Sequence, residues 1–218
     1  MLYLKNSTKY YISLALFSVM INADNNVQNI SQNLKNEMIK NKNYYNGCPV
    51  KIEDLRIVNI KYYDFENKIK NGDLIVHKDV SNDVIKIFDE LFAIKYQIKQ
   101  IVPIHNFNSS DFASIEADNT SAFNCRYATG ESSWSKHAYG KAIDINPIEN
   151  PYVFRSGNTS HKSSVFFLKR AHDKNRKNDQ AVLVNGDEAV KIFAKYGWGW
   201  GGRWSGAKDY QHFYKIEK

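Results

Sequence analysis

The sequence predicts an α+β fold, a single domain with a small, mostly antiparallel sheet and flanking helices. Three observations carry this. Residues 81–99, "SNDVIKIFDELFAIKYQIK", place Val84, Ile87, Phe88, Leu91, Phe92 and Ile98 on one apolar stripe at helical spacing. Residues 141–147, "KAIDINP", alternate with period two. Short extended and helical stretches follow one another along 218 residues with turn formers between them. That length suffices for one domain with a proper core, and a second is not required.

The first segment differs from the rest. It carries Lys5 and Lys9, then the apolar run "YYISLALFSVMI" over 10–21, then the small residue Ala23. This pattern predicts a secretory signal peptide over 1–23, since the run is shorter than the ~20 residues that span a bilayer. An uncleaved anchor is the other reading. Export to the periplasm or cell envelope, or secretion, follows from the first, with no stable membrane partner once the segment is removed. Over 24–46, Val27, Ile30, Leu34 and Met38 recur at helical spacing and predict an amphipathic helical lead. The main domain is expected over 47–218.

"DLRIVNIKYYD" at 54–64 predicts a strand, "KNGD" with Gly72 a turn, and "DLIVHK" at 73–78 the partner strand of a hairpin. Ser81 is the expected N-cap of the 81–99 helix. Residues 101–107 read as extended, and 108–135 as a long loop of the kind that is often functional. Within 141–147, Ile143 and Ile145 face the core while Ala142, Asp144 and Asn146 face the other way. Residues 150–164 read as a loop, 187–197 as a helix ended by Gly197, 198–209 as a Gly- and Trp-rich loop, and 209–218 as a last strand.

The formal charge is +7, or +5 without residues 1–23. That favours anionic surroundings in general. Nucleic acid is not expected, because there is no zinc-finger spacing, no aromatic RNA-binding strand and no long basic run. Cys48 and Cys125 are the two cysteines. In an oxidising compartment they are expected to pair, with two free buried thiols as the alternative. They make a poor zinc site, being far apart with no CxxC pattern.

"SWSKHAYGKAIDINP" at 133–147 holds His137 and Asp144 seven apart. This is either a polar turn leading into a strand or two ligands of one metal. A catalytic zinc needs three such ligands, an open position for water and a nearby carboxylate. "DYQHF" offers both missing parts, His212 as third ligand and Asp209 as general base. Positions three apart on a strand face opposite sides, so Asp209 is expected in the loop or bulge entering the strand. His77, His105, His161 and His172 lack such matching and read as surface or core residues. The tryptophans 134, 198, 200 and 204 read mostly as packing, with one or two lining a cleft.

Ser135-Lys-His137-Ala-Tyr-Gly140-Lys-Ala142-Ile-Asp144 resembles the S-x-H-x-x-G-x-A-x-D motif of the D-alanyl-D-alanine carboxypeptidase and L-alanyl-D-glutamate peptidase family. Asp209-Tyr-Gln-His212 resembles its second motif, and Arg126 in "SAFNCR" its substrate-facing arginine. The resemblance implies the zinc fold shared with hedgehog proteins and a zinc metallopeptidase acting on peptidoglycan stem peptides. It implies zinc on His137, Asp144 and His212, with Asp209 as base and then acid. Arg126 would sit on the substrate carbonyl or oxyanion, and Ser135 would hydrogen-bond substrate. Many members carry Glu where this chain has Asp209. Carboxypeptidase and endopeptidase action both remain open, and a non-catalytic wall- or partner-binding module on the same fold is the alternative. Loops 106–131 and 151–187 would shape the pocket. The basic residues of the second suit anionic glycan or stem carboxylates, or simply a solvated face. The chain is expected to act as a monomer.

Overall fold

The computed structural model describes residues 26–217. The signal-peptide expectation for 1–23 lies outside them. Among the described residues no helix is long and apolar enough to cross a membrane.

The chain starts with strand β1 (Asn26–Asn29) and helix α1 (Gln32–Lys40), so the helical lead expected over 24–46 is shorter than the periodicity suggested. Val27 pairs with Val58 in a sheet, and Ser31, in extended conformation, caps the helix by accepting the Leu34 N–H at 3.2 Å. A serine that satisfies an orphan helical donor competes with helix continuation, which is why the helix begins there.

Strands β2 (Leu55–Tyr63) and β3 (Ile69–His77) form the expected hairpin, antiparallel to each other and to β1. The turn is not at Gly72, which pairs with Ile60 inside β3. It lies at 64–68, where the Asp64 carboxylate accepts the N–H groups of Glu66 at 3.0 Å and Lys68 at 2.8 Å, and Asn67 takes a left-handed φ of 57°. Asp and Asn do this turn chemistry as well as glycine does.

Helix α2 (Lys78–Ala93) begins one turn before the expected cap. The His77 ring nitrogen accepts the Asp79 N–H at 3.2 Å, while Ser81 is buried within the helix and donates to the Lys78 carbonyl. Val84, Ile87, Phe88 and Leu91 pack on Val58, Ile60, Leu74 and Val76. Burying each such side chain contributes roughly 1.5–3 kcal/mol.

The 101–107 stretch holds β4 (Gln100–Ile101) and a short 3₁₀ turn at Ile104–Phe107. The 108–135 stretch is not all loop. It contains α3 (Asp111–Glu116), capped by Ser110, and β5 (Asn119–Thr120), parallel to β4. Six residues are too few for helical periodicity to register.

A second antiparallel sheet, in order β6-β10-β8, uses β6 (Ala142–Asp144), β8 (Trp198–Trp200) and β10 (His212–Lys215). Strand β7 (Tyr152–Val153) precedes helix α4 (Glu188–Lys195) and pairs with β9 (Lys208–Asp209). Trp198–Trp200 was expected in a loop; it is a strand because Trp198 and Trp200 are buried against α4 and β10. Phe193 of α4 stacks on Phe213 at 3.8 Å, and Ile143, Ile145 and Phe213 share one continuous core with α2 and β2–β3. The result is a single α+β domain of small, mostly antiparallel sheets, as the sequence predicts.

Cys48 and Cys125 are disulfide-bonded, their Cα atoms 5.9 Å apart. Closing a loop this long stabilises the fold by about 4 kcal/mol in the chain-entropy picture. The bond ties the approach to β2 to the segment between β5 and β6.

Asp118 and Glu149 bring two buried carboxyls together. Burial and the Asp118 charge push Glu149 up to about 9, while its Oε1 accepts from Asn178 at 3.0 Å. The folded chain thus keeps a proton that the unfolded chain releases above pH ~4.3. The pair's contribution to stability is full below that pH and is lost as pH rises towards 9. Glu149→Gln is expected to remove this alkaline loss, leaving the variant roughly 1–3 kcal/mol more stable than the parent at pH 9. Urea unfolding at pH 5, 7 and 9 measures it, and parallel curves for parent and variant would refute it.

Candidate metal centre

Strand pairing sets two of the three predicted ligands side by side. His212 opens β10 and lies opposite Asp144 at the end of β6, whose other face puts Ile143 in the core. The third, His137, stands on a 3₁₀ turn at Lys136–Tyr139. Ser135 caps that turn, its Oγ accepting the His137 N–H at 3.3 Å. Gly140 then turns the chain back with φ 66°. Its carbonyl accepts the His77 N–H at 2.8 Å, and a Cβ there would stand 2.6 Å from that same nitrogen. Only glycine fits a positive φ pressed so closely on backbone.

The three side chains converge. His137 Nε2 is 3.1 Å from His212 Nδ1 and 3.1 Å from Asp144 Oδ2, and His212 Nδ1 is 2.9 Å from Asp144 Oδ1. His137 Nδ1 meets the Ala122 carbonyl at 2.5 Å and must donate to it, which places the proton there and leaves Nε2 with its lone pair facing the cluster. Burial pushes His137 towards neutrality, but the Asp144 carboxylate outweighs it and raises its pKa, with Arg126 opposing. Burial likewise pushes Asp144 up, and the two imidazoles override it and hold the carboxyl well below the usual range.

This donor set fits a zinc ion. Two imidazole nitrogens and a carboxylate oxygen at metal distances of about 2.0–2.2 Å lie roughly 3.3 Å apart in a tetrahedron. The observed separations are close to that, with one tautomer already fixed by a backbone carbonyl. Among the described residues no fourth His, Cys, Asp or Glu joins the group.

Asp209 ends β9, paired with Tyr152, and the chain bends at 210–211 before His212 starts β10. That break in the strand is what lets residues three apart serve one site. Asp209 Oδ1 is buried with no hydrogen-bond partner, an arrangement that structures seldom leave without a reason. Burial pushes this carboxyl up to about 6, His212 opposing and Asp144 adding to the rise. Gly201 backs it, since a Cβ there would lie 2.5 Å from the Asp209 carbonyl oxygen and 2.9 Å from its Cβ. Gly201→Ala is therefore expected to push the Asp209 backbone aside and lower the unfolding free energy by about 1–3 kcal/mol. Urea unfolding beside the parent measures this, and unchanged stability would refute it.

Arg126 is salt-bridged to Asp111 of α3, Nη2 to Oδ2 at 2.6 Å, and donates to the Tyr127 carbonyl at 3.1 Å. Its Nε is buried without a partner. The sequence reading missed Asp111, whose only local signal is an acid following a capping Ser110. It also missed the Ala122 carbonyl and Gly201. Trp204 is the tryptophan that reaches the cluster, 5.5 Å from the His212 ring, while Trp198 and Trp200 are packing and Trp134 stacks on Tyr127. The other histidines lie outside the cluster, each beside its own carboxylate: Asp79 for His77, Glu37 for His105, Glu116 for His161, and Asp179 with Asp187 for His172.

No curated protein and no solved structure matches the chain. Residues 129–215, the stretch that carries His137, Asp144, Asp209 and His212, match the family model described as D-alanyl-D-alanine carboxypeptidase.

Proposed function

We propose that this chain is an exported zinc peptidase that hydrolyses peptide bonds of peptidoglycan stems. The observation that carries the reading is the convergence of three lone-pair donors beside a buried carboxylate oxygen that no protein group satisfies. His137, Asp144 and His212 would hold the ion. Bound there, zinc would polarise a scissile carbonyl and bring the pKa of a water towards ~7.

The chain's own groups do the rest. Ala122 fixes the His137 tautomer, and the β6–β10 pairing fixes the other two ligands, so the donors need no rearrangement. Asp209 Oδ1 accepts a proton from the attacking water and returns it to the leaving amine nitrogen. A carboxyl raised towards neutrality suits both halves of that task. The Arg126 guanidinium, oriented by Asp111, offers donors to the oxygen on which negative charge develops. Ser135 Oγ accepts the His137 N–H to cap that turn, which leaves its hydroxyl hydrogen to donate to substrate. A binding module without turnover would have no use for the unsatisfied Asp209 oxygen.

Digestion of purified muropeptides with mass analysis tests the proposal and identifies the bond cut. The parent is expected to release products that disappear with a chelator and return with zinc. Activity untouched by the chelator would remove the metal from the mechanism.

A further inference from the structure

The 155–178 segment carries seven Lys or Arg against one acid, Asp173. Two of the arginines are structural. Arg170 donates to the carbonyls of Glu149, Phe167 and Leu183 and covers the Tyr210 ring at 4.3 Å. Arg176 binds the carbonyls of Lys169 and Ala171 and the Asp179 carboxylate. Phe167 is buried with Ile148 and Val182. The loop is therefore built and anchored, and what it presents outward is held there.

It presents an exposed apolar pair in a basic stretch of chain. On the 3₁₀ turn Lys162–Phe167, Phe166 is 79% exposed and Val165 54% exposed. Phe112, 60% exposed, lies against His161 at the head of the same turn. Lys162, Lys169, Lys174 and Lys177 are exposed and, among the described residues, make no ion pair. A fold that buries Phe167 and leaves its neighbour Phe166 bare leaves apolar area without an internal partner.

We propose that this surface docks reversibly on an anionic phospholipid membrane, Phe166 and Val165 entering the headgroup boundary while the four lysines meet lipid phosphates. Lysines near such a surface each contribute to binding, and exposed aromatic and aliphatic side chains add burial in the interface. The apolar pair is what favours lipid over a soluble polyanion, which the lysines alone would satisfy. The proposal does not rest on peptidase activity.

The test is co-sedimentation of the full chain with vesicles of phosphatidylcholine alone or with roughly one third phosphatidylglycerol. Residues 10–21 are then present equally in every arm. Binding is expected to rise about tenfold with the anionic lipid, and to fall about tenfold in both K162Q/K169Q and V165S/F166S. Phe166→Trp should retain binding and gain fluorescence quenching by brominated phosphatidylglycerol beyond that of the parent. Equal binding to both vesicle types, no added quenching in Phe166→Trp, or a V165S/F166S variant that binds like the parent would each overturn the proposal. The last, with K162Q/K169Q still losing binding, would reduce the surface to a charge-only attraction that any polyanion satisfies.

Discussion

Replacing His212 with alanine is expected, on the proposed function, to lower muropeptide hydrolysis by about a thousandfold or more and to abolish metal retention. Its Nδ1 stands within 3.1 Å of both other candidate ligands, and among the described residues no fourth His, Cys, Asp or Glu joins the group to replace it. Changes to groups that merely orient ligands lower metal affinity by ~10–100-fold, and loss of a ligand costs more. The substitution also leaves Asp144 buried with one imidazole partner in place of two. Metal content after dialysis and product formation by mass analysis are the two readouts. A variant that keeps both would refute the ligand assignment. His172→Ala is the matched control, since that ring is engaged by Asp179 and Asp187 outside the donor group and should leave both readouts at the parent level.

Asp209→Asn is expected to separate the two readouts. On the proposed function, metal content should match the parent, because Asp209 is outside the donor group, while turnover falls about 10²–10⁴-fold with the loss of a positioned proton acceptor. Stability should move the other way. The folded-state pKa of Asp209 lies at about 6, above its unfolded value, so its ionisation at neutral pH opposes folding. A neutral amide of the same shape removes that opposition. The metal-free variant should therefore melt at or above the parent's temperature at pH 7. Undiminished turnover would refute the role of Asp209, and a large fall in melting temperature would reassign it to structure.

His137, Asp144, His212 and Asp209 were legible in the sequence as candidates for a chemical reason. Metal ligands and a general base must be particular residue types, and the short 3₁₀ turn and strand that carry His137 and Asp144 fix their local spacing. The Asp209–His212 interval was legible too, including the need for a break in the strand. Their neighbours were not. Asp111 and Arg126 meet through a six-residue helix with no periodic signal, and Gly201 lies eight residues from the Asp209 it supports. Such contacts depend on where backbones cross, and composition does not encode that locally.

The same division runs through the fold. Residue chemistry alone determined the hairpin of β2 and β3, the α2 stripe, the helix ending at Gly197 and the inward face of Ile143 and Ile145, because burial patterns repeat with the period of the element that makes them. The tertiary structure decided where the hairpin turned, that Trp198–Trp200 became a strand, and that Val27 left the helical pattern to pair with Val58. Those outcomes rest on long-range backbone pairing and on the burial of large rings against distant elements. Local propensities differ by about 1 kcal/mol or less, so such contacts readily override them.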